Sequence, residues 1–410
     1  MARYLGPQQF GLLNYALAMV ALFASVVPLG LDTIVVRELV HDSDAAGRIL
    51  GTTFIMRVGA GLLMTVVTIA SVVVMTGGDH QLVLLTSIAS LAILPRAADV
   101  FDLCFQSRMQ SRLTVTAKNA GTLVGNISRI VLILTSASLV AFCWTTSIEA
   151  ILGGIGLAVT YMIAGNSFRG WNFDLHLARR LLKECWPLIL SGLAIILYMR
   201  IDVIMLRMMA GDEATGIYAA AYRVSEICYF VPIAITTSVS PLIIALRTTN
   251  EEVYLRRLRQ LFTYLALLSV IFSLFTTFAS KWMVTVLFGS HFAAAAPVLA
   301  IHIWASVFVF LGVAQNPWDV SENAVAYSLP RTFAGTVTNI AINLVLIPRL
   351  GAIGAAIATL ISYAVSGVIM NAFFAKTRPV FLMQMKALSL LGVRESYLAL
   401  SSRWQAAKNE

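Results

Sequence analysis

The stretch WPLILSGLAIILYMRIDVIMLRMMAGDEATGIYAAAYRVSE, Trp186 to Glu226, decides the fold. Pro187 opens an apolar run that reaches Met209, Gly211 to Gly216 punctuates it, and Ile217 opens another. The segment therefore predicts two membrane helices joined by a turn. Charges interrupt both arms: Arg200 and Asp202 the first, Arg223 and Glu226 the second. Ionisable groups at membrane depth are costly and face a cavity or each other, which makes these four the first candidates for function.

The rest of the chain has the same character. With 59% hydrophobic residues, 12% charged and a mean hydropathy of +0.84, the 410 residues are far too apolar for a soluble globule. At about 35 residues per helix and loop, the length allows roughly eleven spans. The apolar runs are long and continuous, not the alternating ten-residue segments of a barrel. Drawn from the sequence, the spans are Phe10–Leu31, Leu50–Met75, Leu82–Phe105, Ala120–Cys143, Ile148–Phe168, Pro187–Met209, Ile217–Leu246, Leu261–Phe278, Ala296–Val313, Thr332–Ile347 and Ala352–Phe374. The tail from Pro379 mixes apolar residues with spaced basics and reads as an interfacial amphipathic segment.

The net charge of +9 falls mostly on one set of alternate connections: Arg37 and Arg48; Arg108, Arg112 and Lys118; Arg169 to Lys183; Arg247 to Arg259; Arg331; and the tail. The other set holds only Arg3, Arg207, Lys281 and Arg349. By the positive-inside rule the first set is cytoplasmic, so the charge reports topology rather than a nucleic-acid partner. Arg108–Thr114 and Arg247–Arg257 are expected inside, Thr145–Ile148 and Asp212–Thr215 outside. Four dispersed cysteines and five dispersed histidines offer no metal-ligand spacing.

An internal repeat accompanies this topology. GPQQFG at Gly6–Gly11 lines up, 205 residues on, with GDEATG at Gly211–Gly216, and a proline follows in each helix, Pro28 and Pro232. A full helix, Pro187–Met209, precedes the second copy, whereas the chain begins at the first; the reading implies one further helix upstream.

Five arginines lie within the predicted spans: Arg57, Arg96, Arg129, Arg200 and Arg223. A charge at a helix centre costs about 2.5–3.5 kcal/mol on insertion scales, so the set demands partners or water. Asp99 follows Arg96 at i+3 with Asp102 a turn further, and Glu226 follows Arg223 at i+3, so each has a carboxylate on its own helix. Arg57 and Arg129 have no such neighbour. Guanidinium groups left unmatched in a hydrated cavity would suit an anionic cargo, because the planar fork of donors fits phosphate oxygens. Tyr218, Tyr222 and Tyr229 share a face with Glu226, a stripe that either packs or stacks on sugar rings. Asn339 and Asn343, at i and i+4, read as interhelical hydrogen-bonding residues, and GAIGAAIAT (Gly351–Thr359) as a close helix contact. No HExxH, GxSxG, P-loop lysine or EF-hand loop is present, so the chain reads as a transporter and not an enzyme, with no cofactor and no metal. Its energy source would be an ion gradient, with Asp202, Glu226, Asp99 or Asp102 holding Na⁺ or H⁺.

The block WPLILSG to YRVSE, with ARYLGPQQFGLLNYA and GLDTIVVREL near the start and NLVLIPRLGAIGAAIAT near the end, resembles the Wzx-type polysaccharide (O-antigen/exopolysaccharide) flippases of the multidrug/oligosaccharidyl-lipid/polysaccharide exporter superfamily. The resemblance implies an all-α polytopic protein of about 11 transmembrane helices in two pseudo-repeated bundles around a central cavity. The divisions would be 1–168, a cytoplasmic linker 169–186, 187–375 and a tail 376–410. It implies alternating access and translocation of an undecaprenyl-diphosphate-linked oligosaccharide across the bacterial cytoplasmic (inner) membrane, in contact with membrane lipid, a polysaccharide polymerase and a chain-length regulator. Arg200, Asp202, Arg223 and Glu226 match motif positions; cavity roles for Arg57, Arg96 and Arg129 follow by analogy. A cation-coupled multidrug exporter of the same fold is the alternative, disfavoured because arginines repel a cationic cargo. A non-catalytic envelope-assembly protein is another, and no loop is long enough to suggest it.

Overall fold

The computed structural model describes residues 1–42 and 44–389, and every described element is helical. The helices are α1 Ala2–Ala24, α2 Asp32–His41, α3 Ala46–Thr76, α4 His80–Ser90, α5 Asp99–Ser107, α6 Ser111–Leu134, α7 Leu139–Ile163 and α8 Leu175–Cys228. They continue with α9 Phe230–Thr249, α10 Glu251–Phe288, α11 Ala295–His302, α12 Ala305–Ala314, α13 Asn316–Ser321, α14 Ser328–Leu350, α15 Ala352–Gly367 and α16 Arg378–Leu388. Contacts divide the chain into two compact units, Met1–Ile204 and Met205 onward. Among the described residues, eight helical segments are long and apolar enough to cross a membrane, one of them the 75-residue Leu175–Thr249. Beyond Leu388, the predicted amphipathic tail lies almost wholly outside the described residues.

Local chemistry sets the boundaries. Asp79 accepts from the N–H groups of Gln81 and Leu82 at the start of α4, Asn250 from Val253 at the start of α10, and Gly77 closes α3 in the left-handed conformation. Asp174 caps α8; the Leu177 N–H it accepts holds its carboxyl below the usual carboxylate range, helped by the His176 N–H and Arg48. The segment before it is clamped to the start of α3. A Cβ at Gly47 would lie 2.3 Å from the Gly170 carbonyl oxygen and one at Gly51 2.7 Å from that of Asn172, so only glycine lets the two backbones approach.

The predicted repeat has a backbone signature. Gly6 (φ 71°, ψ 172°) and Gly211 (φ 86°, ψ −176°) interrupt α1 and α8 in the same conformation, one that only glycine adopts readily. Each is followed by a helix, a break near the proline, a long helix (α3 or α10), a broken span (α4–α5 or α11–α13) and a close pair (α6–α7 or α14–α15). The glycine contact foreseen in GAIGAAIAT is present: a Cβ at Gly354 would sit 2.4 Å from the Leu346 carbonyl oxygen.

The fourth and fifth predicted spans need correction. The turn between them falls at Thr135–Ser138, where Ser136 has φ 53°, and Thr145–Ile148 is helical inside α7. TTSI and TSAS are equally plausible turn sequences, and α6 is polar enough, with Lys118, Asn126 and Arg129, that its apolar centre of gravity misleads. Likewise Leu82–Phe105 is not one helix: the chain leaves α4 at Ser90 and passes through a 3₁₀ turn, Leu94–Ala98, before α5. The corrected turn carries the topology test. In a background lacking the four native cysteines, Ser138→Cys should react with an impermeant maleimide from outside the cell and Gln110→Cys only from inside, and the reverse pattern would overturn the assignment.

Candidate functional site

Broken helices at membrane depth are tolerated where they line a cavity. The broken α4–α5 span does so. Together with α1, α6 and α7 it encloses a cavity of about 540 Å³, whose polar lining includes Arg96, Asp99, Lys118, Thr122 and Glu149. The expected Arg96–Asp99 pair does not form. Lys118 of α6 reaches over and takes Asp99 at 2.8 Å and Asp102 at 3.4 Å, while Thr114 donates to Asp102 at 2.7 Å. The i, i+3 rule assumes a continuous α-helix, and the chain passes from 3₁₀ to α between these two residues. Arg96 is left lining the cavity, an exposed residue with no ion pair or side-chain hydrogen bond to any described residue.

Two more of the span arginines in this unit, Arg129 and Arg57, are matched by carboxylates. Arg129 donates to Glu149 at 2.6 Å and to Asn126 at 2.9 Å, joining α6 to α7. Gly125 makes room for this pair, since a Cβ there would lie 2.7 Å from the Glu149 carboxylate. Arg57, fully buried on α3, donates through Nη2 to Asp32 at 2.6 Å and to the Pro28 carbonyl at 3.4 Å, tying α3 to the start of α2. Sequence reading missed both carboxylates for one reason: each lies on a different helix from its arginine. Glu149 did leave a signal, as a lone acid in the apolar run from Leu139 to Phe168, but the misplaced turn put it at a span end.

Of the motif residues, Asp202 is buried and Arg200 half-buried on α8 in the first unit, while Arg223 and Glu226 are half-buried in the second; each has an interaction partner. Tyr218 is buried and shares a hydrogen bond of 3.0 Å with Thr359, its ring 5.7 Å from Tyr222 and 5.6 Å from the buried His302. Tyr218 is thus packed within the second unit. Asn343 donates to Asn339 at 2.9 Å and Asn339 to Ser362 at 3.4 Å, the bond between α14 and α15 expected of that spacing.

The second unit also holds a buried polar network. Arg331 of α14 donates to Asp319 of α13 at 2.6 Å and to Asn371 at 2.9 Å; Gln315 donates to Asp319 at 3.0 Å, and Asn371 to Gln315 at 2.8 Å and to Gln384 of α16 at 3.1 Å. Nothing in the sequence marks it: Arg331 reads as a loop charge and the amides as isolated.

A multi-pass helical protein with two repeated units, broken spans and a charged cavity has the architecture of a membrane transporter. Solved structures share this fold. An inward-facing multidrug resistance MATE family transporter of the MOP superfamily aligns with TM-score 0.71 at 16% identity, covering 95% of this chain and 92% of that one. The lipid II flippase MurJ in an inward closed conformation aligns with TM-score 0.68 at 14% identity, covering 96% and 90%. The model of the polysaccharide biosynthesis protein family matches residues 1–246, and the chain belongs to that family. Two similar proteins of Haloferax volcanii are the probable flippase AglR, 31% identical over 42% of this chain, and the probable low-salt glycan biosynthesis flippase Agl15, 26% identical over 47%. The matched stretches span 37% and 41% of those relatives.

Proposed function

We propose that this protein is a flippase that moves a lipid-diphosphate-linked oligosaccharide across the cytoplasmic membrane by alternating access, for surface glycan assembly. The observation that carries the reading is Arg96: an unmatched guanidinium on a cavity wall, near the middle of the His80–Ser107 span. An unpaired cation there is costly unless an anion uses it, and guanidinium is the side chain whose geometry suits phosphate. Lys118 does not compete for the role, because Asp99 and Asp102 occupy it. A cationic cargo would be repelled by Arg96, which disfavours the multidrug-exporter reading. Arg200 and Arg223 would supply further contacts to the head group, with Asp202, Glu226, Asp99 or Asp102 as holders of a coupling Na⁺ or H⁺. A polysaccharide polymerase and a chain-length regulator are the partners this role would require.

The test is complementation of a flippase-null strain. Arg96→Gln, inserted at normal levels, should lower surface glycan per inserted protein by ten-fold or more. Arg96→Lys, which keeps the charge and loses the bidentate fork, should fall between. Full glycan from Arg96→Gln would sink the phosphate-contact role.

A further inference from the structure

A second cavity, of about 450 Å³, adjoins the first. It is a groove between α3 and α7, lined by Phe54, Val58, Leu94, Phe101, Ile151 and Ile155, with no charged residue in its walls. Pro95 and Gly154 border both spaces, which meet along the seam these two residues form. Gly154 leaves that seam open on its side, since a Cβ there would reach to within 3.3 Å of Pro95. The 3₁₀ turn divides its residues accordingly. Arg96 faces the charged cavity, while Leu94 and Ala97, on either side of it in sequence, line the groove. At one end the groove runs into an aromatic cluster in which Phe101 packs against Phe54, Phe168 and Trp171 at centroid distances of 5.6–6.3 Å. Leu94 and Ile155 are exposed, so the groove is open laterally.

We propose that this groove holds the hydrocarbon tail of the lipid whose anionic head group meets Arg96. The inference rests on the function proposed above and adds where the tail goes. A phosphate bound at Arg96 sits near mid-span, far below the bilayer surface, so the chain attached to it must leave the protein sideways. The Pro95–Gly154 seam is where the charged cavity and the apolar groove come closest, and its two sides offer what a diphosphate with a prenyl chain requires: a guanidinium, and apolar walls within the ~300–1,000 Å³ that enclose a small ligand. A bulk phospholipid cannot satisfy both, because its phosphate stays at the interface while its acyl chains span the core.

Photo-crosslinking of the full chain tests this directly. Benzoylphenylalanine is placed at Val58 or Ile155 in the groove, and at Leu62 or Val66, exposed positions of α3 outside it. Vesicles of phosphatidylethanolamine and phosphatidylglycerol carry undecaprenyl diphosphate with a tritiated tail. Groove positions should capture at least five-fold more label than the outer positions, unlabelled undecaprenyl diphosphate should compete, and tritiated phosphatidylglycerol should show no such preference. In a groove-filling chain, with Val58→Trp and the probe at Ile155, capture should fall to the outer-position level. Equal capture at all four positions, or the same preference for phosphatidylglycerol, would mean that the groove carries annular lipid only and would overturn the proposal. The two readings fail separately. Selective capture with full glycan from Arg96→Gln removes the head-group role and keeps the groove, whereas loss of glycan without selective capture removes the groove alone.

Discussion

Asp319→Ala should destabilise the protein by about 3–5 kcal/mol, because it strands Arg331 in an interior it cannot leave. Both side chains are about nine-tenths buried, at 9% and 10% exposure. The loss reaches further than one pair. Gln315 also donates to Asp319, and through Asn371 the network extends to Gln384, which ties α16 to the end of α15 by donating to the Gly367 carbonyl at 3.0 Å. A carboxylate removed from the middle takes an acceptor from Arg331 and from Gln315 at once. Thermal unfolding in detergent, followed by fluorescence-detected size exclusion, should show a lower midpoint for Asp319→Ala and a larger fraction aggregated at 37 °C. Replacing both partners, as Asp319→Leu with Arg331→Met, should recover much of the loss, since paired apolar groups leave no orphan charge. A wild-type midpoint for Asp319→Ala would refute the account of Arg331 as a locked charge.

Asp32→Ala is expected to be the next most damaging change, at about 2–3 kcal/mol. It falls below Asp319→Ala because the Asp32 side chain is 56% exposed and its charge is partly screened, whereas Arg57 has no exposure at all. With Asp32 gone, Arg57 would keep only the long contact to Pro28, and its Nε and Nη1 already lack hydrogen-bond partners. Asp32→Glu or Arg57→Met should each be milder than Asp32→Ala when unfolding midpoints are compared at one detergent concentration. An Arg57→Met chain that folds normally yet loses surface glycan would restore Arg57 to the cargo-binding set and count against its structural role.

The sequence-derived list of charged candidates thus divides along a physical line. Helical spacing can find a partner only on the same helix, and Arg57, Arg129 and Lys118 all take theirs from another. The one pair that spacing did suggest in the first unit, Arg96 with Asp99, was undone by a change of helix type between the two residues. The Asn339–Asn343 pair and the glycines of α15 fared better, because their function is to meet the adjacent helix and small or amide side chains do so wherever the face is buried.

The apolar composition and the long, continuous apolar runs determined that the chain is helical and crosses a membrane: with no water in the bilayer core, such runs must satisfy their own backbone groups. The glycine pattern marked the repeat, since the conformation shared by Gly6 and Gly211 is one that only glycine adopts readily. What the tertiary structure decided is which charge is left over. Each arginine costs about the same to bury, and nothing in its local sequence says whether a carboxylate will arrive from a helix tens of residues away. Lys118 reaching Asp99 is what frees Arg96, and that outcome depends on how α5 and α6 pack, a property of the assembled bundle and not of any stretch of chain.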